Sequence, residues 1–324
     1  RTNRNEALVL KGGNRTTRSI ITTSISNELN KSLLLIVPTL EEATRWYSIL
    51  EKLSWNNILL YPTSDLSPYE TNEEQTEITR GQLSVISELT NIRKGNKVIV
   101  ITTERALQPH LPKNSFLKEN TINITKGSYL DIKSIANQLS LLGYKKSNTT
   151  EQEGYWSRRG DIIDIYTINN DLPIRIELYG DNVDKIKEYD PLTQRSQEEV
   201  NEITISPISI NHLINKRLEE LDDDCLAKFL GEEIVKEIKF QNIPRNVSRL
   251  KSIAWERLDD ILTFMPKETL VVISEVDQCK AHCKSWLEIV KTTYNELAEE
   301  IRLGKNSLKN MLNKNMFKEF ESIL

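Results

Sequence analysis

The segment Gly154–Ser196, GYWSRRGDIIDIYTINNDLPIRIELYGDNVDKIKEYDPLTQRS, carries the reading of this chain. Three clusters of turn-forming residues divide it: Asn169-Asn170-Asp171 ahead of Leu172-Pro173, then Gly180-Asp181-Asn182, then Asp190-Pro191. Gly, Pro, Asn and Asp bend a chain at such places, and the apolar runs between them have strand length. Ile174, Ile176 and Leu178 alternate with Arg175, Glu177 and Tyr179. A period of two sends the aliphatic side chains to one sheet face and the arginine, glutamate and tyrosine to the other. Any solvated sheet face is polar, but arginine and tyrosine together also make the composition of a protein-binding face.

A chain of 324 residues has room for two or three domains, each with its own core. Its 38% hydrophobic and 28% charged residues are those of an ordinary globular protein. The balance of 43 Lys and Arg against 47 Asp and Glu, a net charge of −4, argues against nucleic-acid coating as the main task. An odd number of cysteines, three, fits no disulfide framework. Cys279 and Cys283, with His282 between them, lack the second ligand pair of a metal site and read as reduced thiols, buried or half-buried. His110 and His212 have no neighbour that suggests catalysis. Apolar runs such as Leu33–Val37 are far shorter than the roughly 20 residues that span a bilayer. With no secretory pattern either, the expected setting is the cytoplasm, without membrane contact. The start at Arg1 and the stop inside a helical-looking stretch suggest a fragment of a longer protein.

Outward from the central segment, the first hundred residues alternate strand and helix patterns. Ala7–Leu10, Leu33–Val37, Ile58–Tyr61 and Lys97–Thr102 are apolar runs suited to a buried parallel sheet. Helix starts are signalled by Thr39 with Glu42 and by Asn72 with Gln75, and Ile78, Val85, Ile86 and Leu89 form an apolar stripe. The expectation is an open α/β domain that resembles the RecA-like fold. Its first loop bears on ATPase chemistry. A phosphate-binding loop needs G-x-x-x-x-G-K-[ST], in which glycines let backbone amides wrap phosphate, lysine neutralises it and the hydroxyl holds magnesium. Gly12 opens that register, but Thr17, Arg18 and Ser19 occupy the closing positions. Threonine brings a Cβ where glycine turns, and a guanidinium is not a compact ammonium. The apolar strand Leu270–Ile273 ends in Ser274-Glu275, where an aspartate would meet magnesium. The loop is therefore expected not to bind nucleotide.

Beyond a linker around Pro112–Asn120, Thr121–Ile124 reads as a strand and Tyr129–Leu142 as a helix that stops at Gly143. The antiparallel strands follow, and Val200–Ile205 with Pro207 closes this small α+β domain. From Ile208 onward the chain is helix-rich: the acidic run Glu219–Asp224 reads as a solvated helix face or start, and Trp255, Leu258 and Leu262 as a helical core stripe. Thr269–Ile273 is a strand returning near a sheet. The expected division is 1–118, 119–207 and 208–324, the last packing on the first.

Read together, Gly160-Asp161-Ile162-Ile163-Asp164-Ile165, Pro173-Ile174-Arg175-Ile176-Glu177-Leu178-Tyr179 and Asp190-Pro191-Leu192-Thr193-Gln194-Arg195-Ser196 resemble the second domain of the bacterial transcription-repair coupling factors (Mfd). The excision-repair protein UvrB shares that domain. Tyr61–Glu70 with Arg80 also looks like the family's first domain, although only a short polar stretch separates Pro68 from Arg80, too little for the DNA-clamping hairpin of UvrB. Pro68-Tyr69 then reads as a surface turn. The resemblance covers essentially the whole chain and implies a UvrB-like module, without catalysis, at the N-terminal part of an ATP-driven DNA translocase of the helicase family. It implies UvrA as partner, met by Arg159, Arg175 and Tyr179, with Glu177 orienting Arg175 or pairing with a partner base. It places RNA polymerase binding, DNA, ATP and magnesium in domains downstream, and implies that a C-terminal domain masks the UvrA surface. No cofactor is expected in this fragment. By parity Arg159 goes with Ile163 and Ile165, and joins the polar face only if the chain kinks at Gly160.

Overall fold

The computed structural model describes residues 7–64, 66, 74–92, 95–230, 232–240, 250–255, 257–302 and 317–322. Helices and strands alternate at first: α1 (Arg15–Glu28), β1 (Ser32–Val37), α2 (Leu40–Lys52), β2 (Ile58–Leu60), α3 (Glu74–Asn91) and β3 (Ile99–Thr103). After α4 (Asn114–Glu119) come β4 (Ile122–Thr125), α5 (Ile132–Leu141) and β5 (Lys145–Lys146). Four longer strands succeed them, β6 (Tyr155–Arg159), β7 (Ile162–Ile165), β8 (Ile174–Tyr179) and β9 (Asn182–Tyr189), then β10 (Ser196–Val200) and β11 (Glu202–Ile205). The last third holds α6 (Ile210–Glu219), α7 (Asp223–Leu230), α8 (Glu232–Lys239), α9 (Lys251–Ala254), α10 (Ile261–Phe264), β12 (Thr269–Ile273) and α11 (Val276–Arg302).

The first sheet has the order β12-β1-β3-β2 and every pairing in it is parallel. Its central strand explains why β1 has no polar face: Leu33, Leu35 and Val37 pack with Ala43, Trp46 and Leu50 of α2, while Leu34 and Ile36 join the larger core on the other side. Thr39 caps α2 as its spacing predicts, its hydroxyl accepting from the Glu42 amide at 3.2 Å. The Glu42 carboxylate does not turn back to complete the box; it accepts from Arg15 at 2.8 Å and ties α2 to α1. Val85, Ile86 and Leu89 of α3 are buried and Ile78 is half-buried, so the predicted stripe is the packed face. The Asn72 cap and the Pro68-Tyr69 turn lie outside the described residues.

One expected strand is not formed. Ala7–Leu10 has no strand conformation, and Leu8, Val9 and Leu10 are exposed. β1 is instead flanked on one side by β12, which arrives from the last third of the chain and pairs Leu33 with Leu270 and Leu35 with Val272. Three smaller differences share one cause, namely long-range packing that local pattern does not report. The expected linker contains α4 with Leu117 buried, the helix expected from Tyr129 begins at Ile132 behind the Asp131 cap, and the core residues Trp255, Leu258 and Leu262 fall in and between short elements rather than on one helix.

The second sheet runs β10-β9-β8-β7-β6-β5, antiparallel except for the short β5–β6 pairing, and β11 pairs separately with β4. Ile163, Ile165, Ile174, Ile176 and Ile186 form its buried face, joined by Ile135 and Leu139 of α5. α3 holds this part to the parallel sheet: Ser84 donates to the Ile168 carbonyl at 3.2 Å, and Asn169 donates to the Ser84 carbonyl at 3.3 Å. Tyr61 is buried, its hydroxyl donating to His110 Nε2 at 2.5 Å while His110 Nδ1 donates to the Gln108 carbonyl at 2.6 Å. Burial lowers the His110 pKa to about 4, so the ring is neutral at neutral pH and both bonds are made in that form.

Gly143 ends α5 with φ +93°, and a Cβ there would stand 2.8 Å from the Ser209 Cβ. Gly143→Ala is therefore expected to destabilise the fold by about 1–2 kcal/mol, read by urea denaturation. His110 gives a pH signature. Its folded pKa lies below the unfolded value, so between pH 6.5 and about 4 the unfolded chain binds a proton that the folded chain refuses. Stability should fall as pH falls through that window, and the non-titrating His110→Gln variant should lose this part of the slope.

Candidate partner-binding site

Two tight hairpins set the site. Gly160-Asp161 joins β6 to β7 with Arg159 opposite Ile162, and Gly180-Asp181 joins β8 to β9 with Tyr179 opposite Asn182. Both glycines take φ +62°, the positive value needed at the first central residue of a type II′ turn. The first turn resolves the parity of Arg159. Counting straight through it aligns Arg159 with Ile163, but the chain reverses at Gly160 and the pairs run Arg159–Ile162–Glu177 across three strands. Directly paired residues point to one face, so Arg159 shares the polar face with Asp164, Arg175, Glu177 and Tyr179. The Leu178 amide donates to the Asp161 carbonyl at 2.9 Å, which holds the two hairpin ends side by side.

The four predicted residues are not equally available. Tyr179 is 84% exposed. The Arg159 side chain is 60% exposed, whereas that of Arg175 is only 12% exposed over an almost fully buried Asp164. Arg175 grips Asp164 with its fork, Nε to Oδ1 at 2.8 Å and Nη2 to Oδ2 at 3.0 Å, and its Cζ lies 4.3 Å from the Tyr189 ring centroid. Arg159 adds a bond to Asp164 Oδ2 at 3.2 Å. Gln194, at φ +60°, closes the cluster from above: its Oε1 accepts from Arg175 at 2.9 Å and from Arg159 at 3.3 Å. Asp190 shapes that loop by accepting from the Leu192 and Thr193 amides at 2.8 and 2.9 Å. Glu177 accepts from Lys187 at 3.0 Å. Arg175 thus packs inward beneath the 190–195 loop, while Arg159 and Tyr179 face solvent.

The bond from Asp164 is the first cause of the raised Arg175 pKa. Burial, then the Asp164 charge, pushes the Tyr189 hydroxyl up to about 12. Asp164, Tyr189 and Gln194 escaped the residue pattern, although an aspartate inside the apolar run Ile162–Ile165 at the parity of Arg175 was an available clue.

The Gly12–Ser19 loop is closed by its own side chains. α1 begins at Arg15, which places Thr17, Arg18 and Ser19 in the helix. Asn14 caps it, accepting from the Thr17 amide at 2.9 Å and the Thr17 hydroxyl at 3.0 Å. Arg18 donates to the Gly12 carbonyl at 3.3 Å and forms an ion pair with Glu275, and Ser19 donates to the Arg15 carbonyl at 2.9 Å. Cys279 and Cys283 are buried, and Cys279 Sγ lies 3.4 Å from the Ser274 carbonyl. Among the described residues no group of three or more His, Cys, Asp or Glu could hold a metal ion, and no helix is long and apolar enough to cross a membrane.

Residues 122–210, which contain the second sheet, match the family described as UvrB interaction domain. The chain is similar to the transcription-repair-coupling factor of Bacillus subtilis, 30% identical over 291 residues, which cover 83% of this chain and 24% of that protein. It is also 26% identical to that of Haemophilus influenzae, over 78% of this chain and 22% of the relative, and 24% identical to one from Staphylococcus epidermidis, over 78% and 23%. The chain spans about a quarter of the length of the curated relatives it matches.

Removing the buried carboxylate should show its weight. Asp164→Ala leaves the Arg175 guanidinium covered and unpaired, so a loss of about 3 kcal/mol or more is expected in urea denaturation. Asp164→Asn, which keeps an acceptor without the charge, should cost less.

Proposed function

This chain is a relative of the transcription-repair-coupling factors that carries a UvrB interaction domain at residues 122–210, and from that premise we propose that it is their UvrA-recruiting adaptor module, acting in transcription-coupled nucleotide excision repair. The observation that carries the reading is the end of the second sheet, where Arg159 and Tyr179 are both exposed on one face, one row apart. Arginine offers a partner carboxylate a planar fork, and tyrosine adds rigid apolar area at little entropic cost. Arg175 acts beneath them as a positioning residue, held by Asp164 and holding Gln194.

In this reading the parallel sheet is a RecA-like scaffold without ATPase activity. Its support is the closed loop: the α1 amide that would meet phosphate is capped by Asn14, and Arg18 is neutralised by Glu275. RNA polymerase binding and the ATP- and magnesium-dependent translocation of DNA belong, on the same proposal, to other parts of the longer protein. A C-terminal domain of that protein would cover the Arg159–Tyr179 surface until recruitment is required.

Co-migration with UvrA on a sizing column tests the proposal directly. Arg159→Glu and Tyr179→Ala are expected to weaken UvrA binding by about tenfold or more with unchanged circular dichroism and melting temperature. Arg175→Glu is not a clean variant, because it sets a second carboxylate against buried Asp164. Unchanged binding by both folded variants rejects the site, and micromolar binding of a fluorescent ATP analogue would instead favour an ATP-hydrolysing enzyme of the UvrB type.

A further inference from the structure

A second exposed tyrosine stands on the same surface. Tyr129 precedes α5, is 69% exposed, and pairs with Asn182 in an antiparallel bridge. Three backbone bonds fix its position: the Leu130 amide donates to the Asp181 carbonyl at 2.8 Å, the Val183 amide to the Ser128 carbonyl at 2.9 Å, and the Gly127 amide to the Val183 carbonyl at 2.8 Å. Asn182 is itself paired with Tyr179 on its other side. Directly opposed residues share a face, so Tyr179, Asn182 and Tyr129 form one row across three chain segments, with the two rings flanking the exposed amide. Standard pair spacings put the outer two Cα atoms roughly 10 Å apart. Arg159 lies one row further along, through its pairing with Ile162 and Glu177.

Nothing within the chain requires this exposure. Tyrosines elsewhere are used by the fold: Tyr61, Tyr144 and Tyr189 are buried, and Tyr166 donates to the Asp171 carbonyl at 2.7 Å. Among the described residues Tyr129 and Tyr179 are the two tyrosines left exposed, and one asparagine joins them.

We propose that Tyr129 is a further anchor of the docking surface and that Asn182 is the floor between the two rings. This rests on the adaptor reading above and specifies what the partner presents. A segment of UvrA places an aliphatic side chain between Tyr129 and Tyr179, its main-chain amide exchanges hydrogen bonds with the Asn182 side chain, and a neighbouring carboxylate reaches Arg159. The pairing in charge and shape follows from what is open here: two apolar ring faces, one neutral donor–acceptor, and one guanidinium with bonds to spare beyond Asp164 and Gln194.

The test compares four variants of the full 324-residue chain with the unaltered protein for binding to purified UvrA by titration calorimetry. Tyr129→Ala is expected to weaken binding about tenfold or more, Tyr129→Phe to retain it, and both to melt at the unaltered temperature. Tyr179→Ala and Arg159→Glu report on the adaptor reading itself. If these two weaken binding and Tyr129→Ala does not, the inference is overturned and the adaptor reading stands. If the unaltered chain does not bind UvrA, or none of the variants matters, both fall.

Discussion

The polar face of the second sheet depends on a carboxylate that the fold removes from water. Burying Asp164 is costly unless the charge is paired and both oxygens are bonded, and the surrounding sequence meets that requirement from three sides. Arg175 supplies a two-point grip, Arg159 a third bond, and Tyr189 a ring for the guanidinium to lie on. The Asp190–Arg195 loop then has to return across the face so that Gln194 can accept from both arginines, and it accepts a left-handed backbone at Gln194 to do so. One buried charge therefore dictates the choice of residue on β6, β8 and β9 and the course of the loop that follows.

Register is the second constraint. In a sheet with one buried face a slip of one residue would exchange isoleucines for charges, so the two glycine-led turns are decisive. Gly160 and Gly180 meet no atom within 4 Å of where a Cβ would be, so their role lies in backbone conformation rather than space. By fixing Arg159 opposite Ile162 and Tyr179 opposite Asn182, they bring an arginine and a tyrosine from separate hairpins to one end of the sheet. The bridge from Tyr129 extends the same register to a segment that belongs to no named strand.

Much of this was legible in the sequence because it is local. The alternation through Ile174–Tyr179, the turn clusters, the Thr39 cap and the Gly143 stop are each decided by residues a few positions apart, and the structure has them in place. Features set at long range were not legible. Ala7–Leu10 has strand composition but forms no strand, while β1 pairs with Thr269–Ile273 from the last third of the chain, and no local window carries that information. Arg175 and Tyr179 have the same parity and differ greatly in exposure, because only Arg175 lies over Asp164 and beneath Gln194. Periodicity reports which face a side chain takes, not whether a distant loop covers it. Arg159 shows the reverse case: strand parity had to be counted across a reversal, and a single glycine with positive φ altered the answer.

The parallel and antiparallel sheets handle their charges in opposite ways, and this contrast separates scaffold from surface. In an α/β sheet the loops that leave the strand ends are the usual ligand positions. Here the Asn14 side chain accepts from the Thr17 amide of α1, and Arg18 spans from the Gly12 carbonyl to Glu275, just beyond β12. At the hairpin ends the bonding is incomplete by comparison. Arg159 keeps most of its side chain in solvent after meeting Asp164, and two tyrosines stand exposed on either side of an exposed asparagine. α3 joins the two parts through the bonds between Ser84 and Ile168 and between Asn169 and Ser84, so the parallel sheet supplies a mount for that face. Unsatisfied bonding capacity marks where a partner gains most by arriving, and at the end of the second sheet Arg159, Asn182 and the two exposed tyrosines hold it open.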